Sequence, residues 1–252
     1  MRAGPAALLV CLAACAAPDR PDTPDGLAVR ADTAQAQDER VRYAAQITYP
    51  QVVAPGGVAL PPGVEAANRV VADTVRAFVA AVRPSAAPPP EDTAYAVRVV
   101  GGYEGAFLDD GWLSALVTIT VDSGGADGNV FLLPVTADLV TGRPVRLGDL
   151  FAPGAPFGRV LAEHVERAVV GRLARRLGVS RAEARARAFA PAGLAPLQAG
   201  DAAFTLGADS LYVHVPPSQL AAVAGVLTVG VPYDALVSFA RRGGAVRRLA
   251  GS

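Results

Sequence analysis

The stretches LSALVTITV (residues 113–121) and VFLLPVTA (residues 130–137) decide the fold of this chain. Apolar residues alternate with smaller or polar ones along both stretches, which is the period-two pattern of strands that bury one face. DSGGADGN (residues 122–129) lies between them, and its glycine, Asn and Asp residues favour the backbone conformations of a chain reversal. The pattern therefore predicts a β-hairpin, whose exit carries turn residues that lead into a long amphipathic helix.

Length and composition bound the class of protein. The chain has 252 residues, of which 52% are hydrophobic, so it can bury a full core. Lys+Arg and Asp+Glu each count 23, and this balance argues against a nucleic-acid binder, which needs a basic excess to displace counterions. Every basic residue is arginine, which excludes lysine chemistry such as a Schiff base.

The first fifteen residues have the pattern of a bacterial export signal. Arg2 is positively charged, residues 6–14 are apolar, and small residues precede Cys15. The apolar run is shorter than the about 20 residues that a transmembrane helix needs. LAAC (residues 12–15) resembles the lipobox of bacterial lipoproteins, which implies cleavage before Cys15 and lipidation of that residue. An ordinary signal peptide with an incidental cysteine is the alternative.

Residues 16–40 are predicted to be a disordered tether. They contain three prolines, six acidic residues and almost no large apolar side chain, so they cannot offset the entropy of ordering themselves. A flexible coil of this length would hold the folded region roughly 25–30 Å from the lipid anchor on average.

Hydrophobic periodicity places the remaining elements. It predicts strands at residues 42–49, 95–107, 202–206, 211–215 and 227–231. It also predicts a helix that starts after Pro61-Pro62 and stops before Pro84, and helices at 157–177, 180–188 and 233–241. Gly178 is expected to end the second helix, and Ser180 with Glu183 forms a capping-box pattern for the third. Strands and helices are mixed rather than alternating. The predicted class is therefore α+β, with a largely antiparallel β-sheet, two main helices packed on it and a C-terminal helix.

Several short motifs follow one another in an order typical of a known exported region. They are ITYP (47–50), Asn68, Ser114, Gly124-Gly125, DLVTG (138–142), LGDLF (147–151), LY (211–212) and VPY (231–233). Together they resemble the extracytoplasmic region of the RsiV anti-sigma factors. That region is a domain of unknown function 3298 preceded by a PdaC-type domain of unknown function 4163, and it also occurs in lone lipoproteins. The resemblance implies an N-terminal strand-helix-strand region at 41–100, an RsiV-like domain at 101–243 and a tail at 244–252.

The resemblance also implies a function. Domains of this family are non-enzymatic binding modules, and the best understood members bind lysozyme through a loop near the second hairpin. Carried onto this chain, the binding face comprises Gly124, Gly125, Asp127, His214, Pro216, Pro217, Ser218 and Gln219. The family's usual Gly-Gly-Ala-His is Gly-Gly-Ala-Asp at 124–127 here, and its Pro-Tyr-Ala-Ala-Gly loop is AAVAG at 221–225. Loss of an aromatic anchor predicts weaker or different binding of a glycosidase, by about 2 kcal/mol or more. A plain helix over Leu220 and the following alanines, packed on the sheet, is the alternative for this segment.

The sequence offers few catalytic patterns. His164 and His214 have no metal-binding spacing, and each is expected on a surface, half-buried at most. GGYEG (101–105) lacks the spacing of a dinucleotide loop and predicts a β-bulge. Arginines concentrate on the second and third helices, where a solvated face is the default and an anionic ligand the alternative.

The sequence therefore predicts a non-catalytic cell-envelope lipoprotein that binds a peptidoglycan fragment or a lysozyme-type glycosidase. It is expected to be an exported monomer, anchored to a membrane by its N-terminal lipid, with no cofactor, metal or nucleic-acid partner and no cytoplasmic sigma-binding segment. One alternative is a glycan hydrolase that uses Glu104, Asp109 or Asp110 with Asp122 or Asp127. A second is a structural lipoprotein without a specific ligand, which would gain if the surface had no concave or apolar patch.

Overall fold

The computed structural model describes residues 26–85, 97–109, 111–123, 128–190, 193–221 and 225–251. Within these ranges the α+β class predicted from the sequence is confirmed. The strands and α-helices are β1 (Ala28–Asp38), β2 (Tyr43–Val53), α1 (Pro62–Ala81), β3 (Val97–Leu108), β4 (Trp112–Asp122), β5 (Asn129–Asp138), α2 (Phe157–Leu177), α3 (Arg181–Ala188), α4 (Ala195–Gln198), β6 (Ala203–Leu206), β7 (Ser210–Val215), β8 (Leu227–Pro232) and α5 (Ala245–Leu249).

The first layer is a five-stranded sheet with the order β1-β2-β3-β4-β5. Only the β2–β3 pair is parallel, because α1 carries the chain from the end of β2 back to the start of β3. The predicted hairpin forms from β4 and β5, with Leu113 opposite Ala137 and Val121 opposite Asn129. The predicted bulge in β3 is confirmed, since the register with β4 shifts between Tyr103 and Ala106.

Helix α1 covers one face of this sheet. Its buried residues Val64, Val71 and Val75 pack with alternate residues of β4, including Val117 and Ile119, in one hydrophobic core. Polar contacts fix the helix along its length. The amide of Asn68 exchanges two hydrogen bonds of 2.8 Å with the backbone of Val52, and the hydroxyl of Tyr43 donates to the carbonyl of Val79 at 2.6 Å.

The prediction that the tether extends to residue 40 is wrong for residues 28–38. These residues form β1, which pairs along its whole length with β2. Their side chains are mostly exposed, and Ala34 is the one buried apolar residue among them. Hydrophobic patterning therefore gave no signal. The strand forms because β2 offers an unpaired backbone edge, and the Tyr49 hydroxyl adds a 3.0 Å hydrogen bond to Asp32.

The second layer contains α2, α3, α4 and a three-stranded antiparallel sheet with the order β6-β7-β8. Leu161, Val165 and Leu173 of α2 pack in a second core with the inward residues of β7 and β8. The predicted boundaries of α2 are confirmed. Gly178 ends the helix in the left-handed conformation at φ 65°, and the Ser180 hydroxyl caps α3 by accepting from the Glu183 N–H at 3.2 Å.

The two layers meet where β6 lies against β4 and β5. The hydroxyl of Ser114 is 2.7 Å from that of Thr136 and accepts a 2.8 Å hydrogen bond from the backbone N–H of Leu206. Each layer has its own hydrophobic core. The core of the first layer contains residues between 34 and 139, and the core of the second contains Trp112 and residues between 147 and 249. The predicted division between residues 100 and 101 falls inside β3.

The C-terminal prediction needs correction as well. A helix was predicted at 233–241, but this segment is a short 3-10 helix at Tyr233–Ala235 followed by turns. The terminal helix is α5, within the segment predicted as a tail, and it buries Ala245 and Val246. Within the described ranges, no helix combines the length and the apolar character needed to cross a membrane.

Candidate functional site

The predicted binding face divides into two segments. Gly124, Gly125 and Asp127 lie outside the described residues, as does Cys15. The residues that flank the turn are at the end of the first sheet, where Asp122 pairs with Arg98 at the start of β3. The other segment, Pro216–Ala221, makes its backbone contacts with the end of α3 in the second layer. The residues beside the turn thus contact β3, whereas Pro216–Ala221 contact the end of α3.

The segment Pro216–Ala221 is held firmly although it has little regular structure. Pro217–Gln219 form one 3-10 turn, and Leu220 is extended and forms a β-bridge with Phe189. The carbonyl of Gln219 accepts from the Ala190 N–H, and the Ala221 N–H donates to the carbonyl of Ala188, both at 3.1 Å. Leu220 is thus not helical, whereas residues 222–224 of the helix considered as the alternative lie outside the described residues. We call the segment Pro216–Ala221 the α3-bound loop.

The α3-bound loop presents polar groups on a fixed backbone. Pro216 and Pro217 restrict its first two φ angles, and Leu220 anchors its far end because its side chain is buried. Between them, Ser218 is exposed and Gln219 is half-buried. Because the loop backbone is already ordered, little conformational entropy is lost when its side chains bind a ligand, and this favours affinity.

His214 is not on an open sheet surface, and the prediction of a surface position is wrong. Its side chain points away from Val213 and Val215 as expected, but the opposite face is covered too, and the residue is only 6% exposed. The ring bridges two neighbouring strands: Nε2 is 2.9 Å from the hydroxyl of Thr205 and Nδ1 is 3.0 Å from that of Thr228. The His214 side chain is therefore held inside the fold by two threonines, and β7 ends one residue later, at Val215, before the α3-bound loop begins.

Burial also sets the charge of this histidine. Desolvation lowers the pKa of His214 to about 4, because the protonated ring would lose its hydration in this position. At neutral pH the imidazole is uncharged, and one ring nitrogen donates to a threonine hydroxyl while the other accepts. The second histidine, His164, is half-buried on α2 as predicted, with Nδ1 3.0 Å from the carbonyl of Val160.

Two carboxylates of the hydrolase alternative, Asp109 and Asp122, do not converge. Asp109 lies before β4 and Asp122 at its other end, and eleven residues of strand separate them by roughly 35 Å. A glycosidase pair needs a separation of about 5–9 Å. Asp109 also accepts from the N–H groups of Gly111 and Trp112, so it serves the turn. Asp110 and Asp127 lie outside the described residues. Among the residues that are described, no three His, Cys, Asp or Glu side chains are grouped to hold a metal ion.

A cleft of about 380 Å³ lies at the junction of the two layers. Its walls come from α1, β5, residues 144–147 and residues 200–204, with Thr74, Thr136, Arg146 and Asp201 as polar groups. No local pattern predicts this cleft, because its walls are distant in the chain. The available signal was Thr136, a buried hydroxyl residue in β5 that lines the cleft.

The arginine-rich face of α2 and α3 is partly neutralised. Glu166 pairs with Arg185, Glu183 with Arg187, and Glu163 with Arg159. These exposed pairs fit the predicted solvated face, and each contributes little to stability.

Comparisons with known proteins find similarity in structure. No family model matches the sequence, and no curated protein matches it. A DUF3298 family member from Bacteroides fragilis NCTC 9343 superposes with a TM-score of 0.58 at 14% identity, covering 90% of this chain and 100% of that one. A DUF3298 family protein from Pseudomonas aeruginosa PAO1 gives a TM-score of 0.56 at 14% identity, covering 87% and 96%. Over nearly its whole length, this chain therefore has the fold of DUF3298 family proteins.

Proposed function

We propose that this chain is a non-catalytic cell-envelope lipoprotein of the RsiV-like type, with a PdaC-type N-terminal region. In this proposal it is exported, lipidated at Cys15, and binds a peptidoglycan fragment or a lysozyme-type glycosidase. The observation that carries the proposal is the α3-bound loop, a segment with exposed Ser218 whose Gln219 and Ala221 are held by backbone hydrogen bonds to Ala190 and Ala188 at the end of α3. Rigid scaffolds with polar loops are typical of binding modules.

The geometry favours binding over the alternatives. Asp109 and Asp122, one pair of the hydrolase hypothesis, are too far apart to act on one glycosidic bond. The purely structural hypothesis would gain from a surface without a concave or apolar patch, whereas a cleft of about 380 Å³ opens at the layer junction. Ser218 and Gln219 offer a hydroxyl and an amide, the groups that hydrogen-bond to sugar hydroxyls and to protein backbone.

A pull-down tests the proposal. The full chain with Cys15→Ser, which carries no lipid, is incubated at micromolar concentration with isolated peptidoglycan and, separately, with lysozymes. We expect either peptidoglycan or lysozyme to retain the Cys15→Ser chain when its binding face is otherwise unchanged. Ser218→Tyr should reduce retention at least about tenfold, because a bulky side chain on a rigid loop displaces the ligand.

The matched control is Ser238→Tyr, the same substitution at another exposed serine. It should leave retention unchanged. Retention of neither probe would contradict the proposed function, and equal loss in both tyrosine variants would contradict the assignment of the α3-bound loop.

A further inference from the structure

A second cleft, of about 430 Å³, is lined by four arginines on the side of the molecule formed by the C-terminal segment. They are Arg143, Arg241, Arg242 and Arg248, and the indole of Trp112 forms part of the same wall. We call it the arginine cleft. It belongs neither to the predicted binding face nor to the arginine-rich face of α2 and α3.

The arginines come from distant parts of the chain and are brought together by the fold. Arg143 follows β5, where its carbonyl accepts a 2.9 Å hydrogen bond from the Asp138 N–H. Arg241 donates its N–H to the carbonyl of Leu150 at 3.0 Å, and Phe151 and Ala240 form a β-bridge beside it. The backbone of the cleft is therefore fixed before any ligand arrives, which lowers the entropic cost of binding.

Trp112 orients one of the guanidinium groups. The Arg248 guanidinium carbon lies 4.0 Å from the centre of the Trp112 ring, which is a cation–π contact. Trp112 itself is only 5% exposed, so the arginine covers its face. Stacking holds the plane of the guanidinium and leaves N–H donors at its edge for a ligand.

Within the part of the chain that the structure describes, no ion pair compensates the positive charge of this cleft. The six ion pairs found among the described residues involve Arg69, Arg76, Arg83, Arg159, Arg185 and Arg187. Two carboxylates line the cleft, but both accept backbone hydrogen bonds: Asp138 from Val140 and Thr141, and Asp149 from Arg146. Four arginines and two aspartates leave a formal excess of +2 in a chain whose formal net charge is +0.

We propose that the arginine cleft binds a phosphate-bearing ligand. Arginine forks bind carboxylates and phosphates in pairs of parallel hydrogen bonds, and a phosphate presents more oxygens than a carboxylate to several forks at once. The cleft has the volume of a small-molecule site. A soluble phosphate ester and the headgroup of an anionic lipid both carry this chemistry, and the experiment separates them.

Trp112 is the single tryptophan of the chain, so its fluorescence reports on this cleft alone. The full chain with Cys15→Ser is titrated with glycerol phosphate at constant ionic strength, by fluorescence and by calorimetry. It is titrated in parallel with vesicles of phosphatidylcholine with or without phosphatidylglycerol. Saturable binding of glycerol phosphate indicates a soluble ester, and binding only to vesicles that contain phosphatidylglycerol indicates a lipid headgroup. Either result supports the proposal.

Arg241→Gln combined with Arg242→Gln should weaken the observed binding at least about tenfold, the factor that corresponds to one lost charge-assisted hydrogen bond. The stacked Arg248 remains in this variant, so the fluorescence signal is kept. Arg175→Gln, at an exposed arginine in the last turn of α2, is the control and should bind like the wild type. Wild-type affinity in the double variant, equal binding of acetate, or no saturable binding of either probe would overturn the proposal.

Discussion

The polar side chain of His214 is buried in the interior of the fold. It is buried between Thr205 and Thr228, and burial lowers its pKa from 6.5 to about 4. An unfolded histidine therefore binds a proton in a pH range where the folded one does not. Between pH 6.5 and 4 the unfolded state holds more protons, so the free energy of unfolding must fall as the pH falls through this window.

We expect the total loss from this one group to be about 3 kcal/mol between neutral pH and pH 4. Urea denaturation at a series of pH values measures it. His214→Gln removes the titrating ring and should flatten the dependence in this window. Thr228→Val keeps the buried ring and should retain the dependence. A steep fall that persists in His214→Gln would show that another group causes it.

Helix α1 and the turn after β5 are in backbone contact at Gly63. A Cβ atom at this position would lie 2.3 Å from the carbonyl oxygen of Leu139 and 2.4 Å from that of Val140. Gly63→Ala should therefore lower the free energy of unfolding by about 1–3 kcal/mol, although alanine favours helix formation. Chemical denaturation with urea checks this prediction.

Gly171 in α2 is the matched helical glycine. A Cβ atom there meets only the Arg175 side chain, at an ordinary 3.7 Å. Gly171→Ala should raise the stability by up to about 1 kcal/mol, which is the helix preference for alanine over glycine. Effects of the same sign in both variants would contradict the steric explanation.

The position of β1 shortens the segment between the proposed lipid anchor at Cys15 and the folded region. Because β1 begins at Ala28, twelve residues separate Cys15 from the sheet. They can span about 40 Å when fully extended, which keeps the folded region close to a membrane surface. This distance suits ligands found at the membrane or in the wall next to it.

The anchor itself is tested by labelling with a fatty-acid analogue in a bacterial host. We expect the wild-type chain to carry the label and to fractionate with membranes. Cys15→Ser should abolish the label and release the chain or leave it unprocessed, while Cys11→Ser should still be labelled. A wild-type chain without label would rule out the lipoprotein proposal.

Local sequence patterns, meaning apolar periodicity, turn residues and a run of glycines, predicted α1, α2, the β4–β5 hairpin and the bulge in β3, because the pattern of each is contained in a short stretch of residues. Tertiary structure decided the rest. Strand β1 has almost no large apolar side chains and depends on the free edge of β2, which no local pattern reveals. The burial of His214 depends on what covers the second face of β7, and the two clefts depend on residues that are far apart in the chain. Side-chain alternation determines which face of an element is apolar, but only packing determines whether the other face meets solvent or protein.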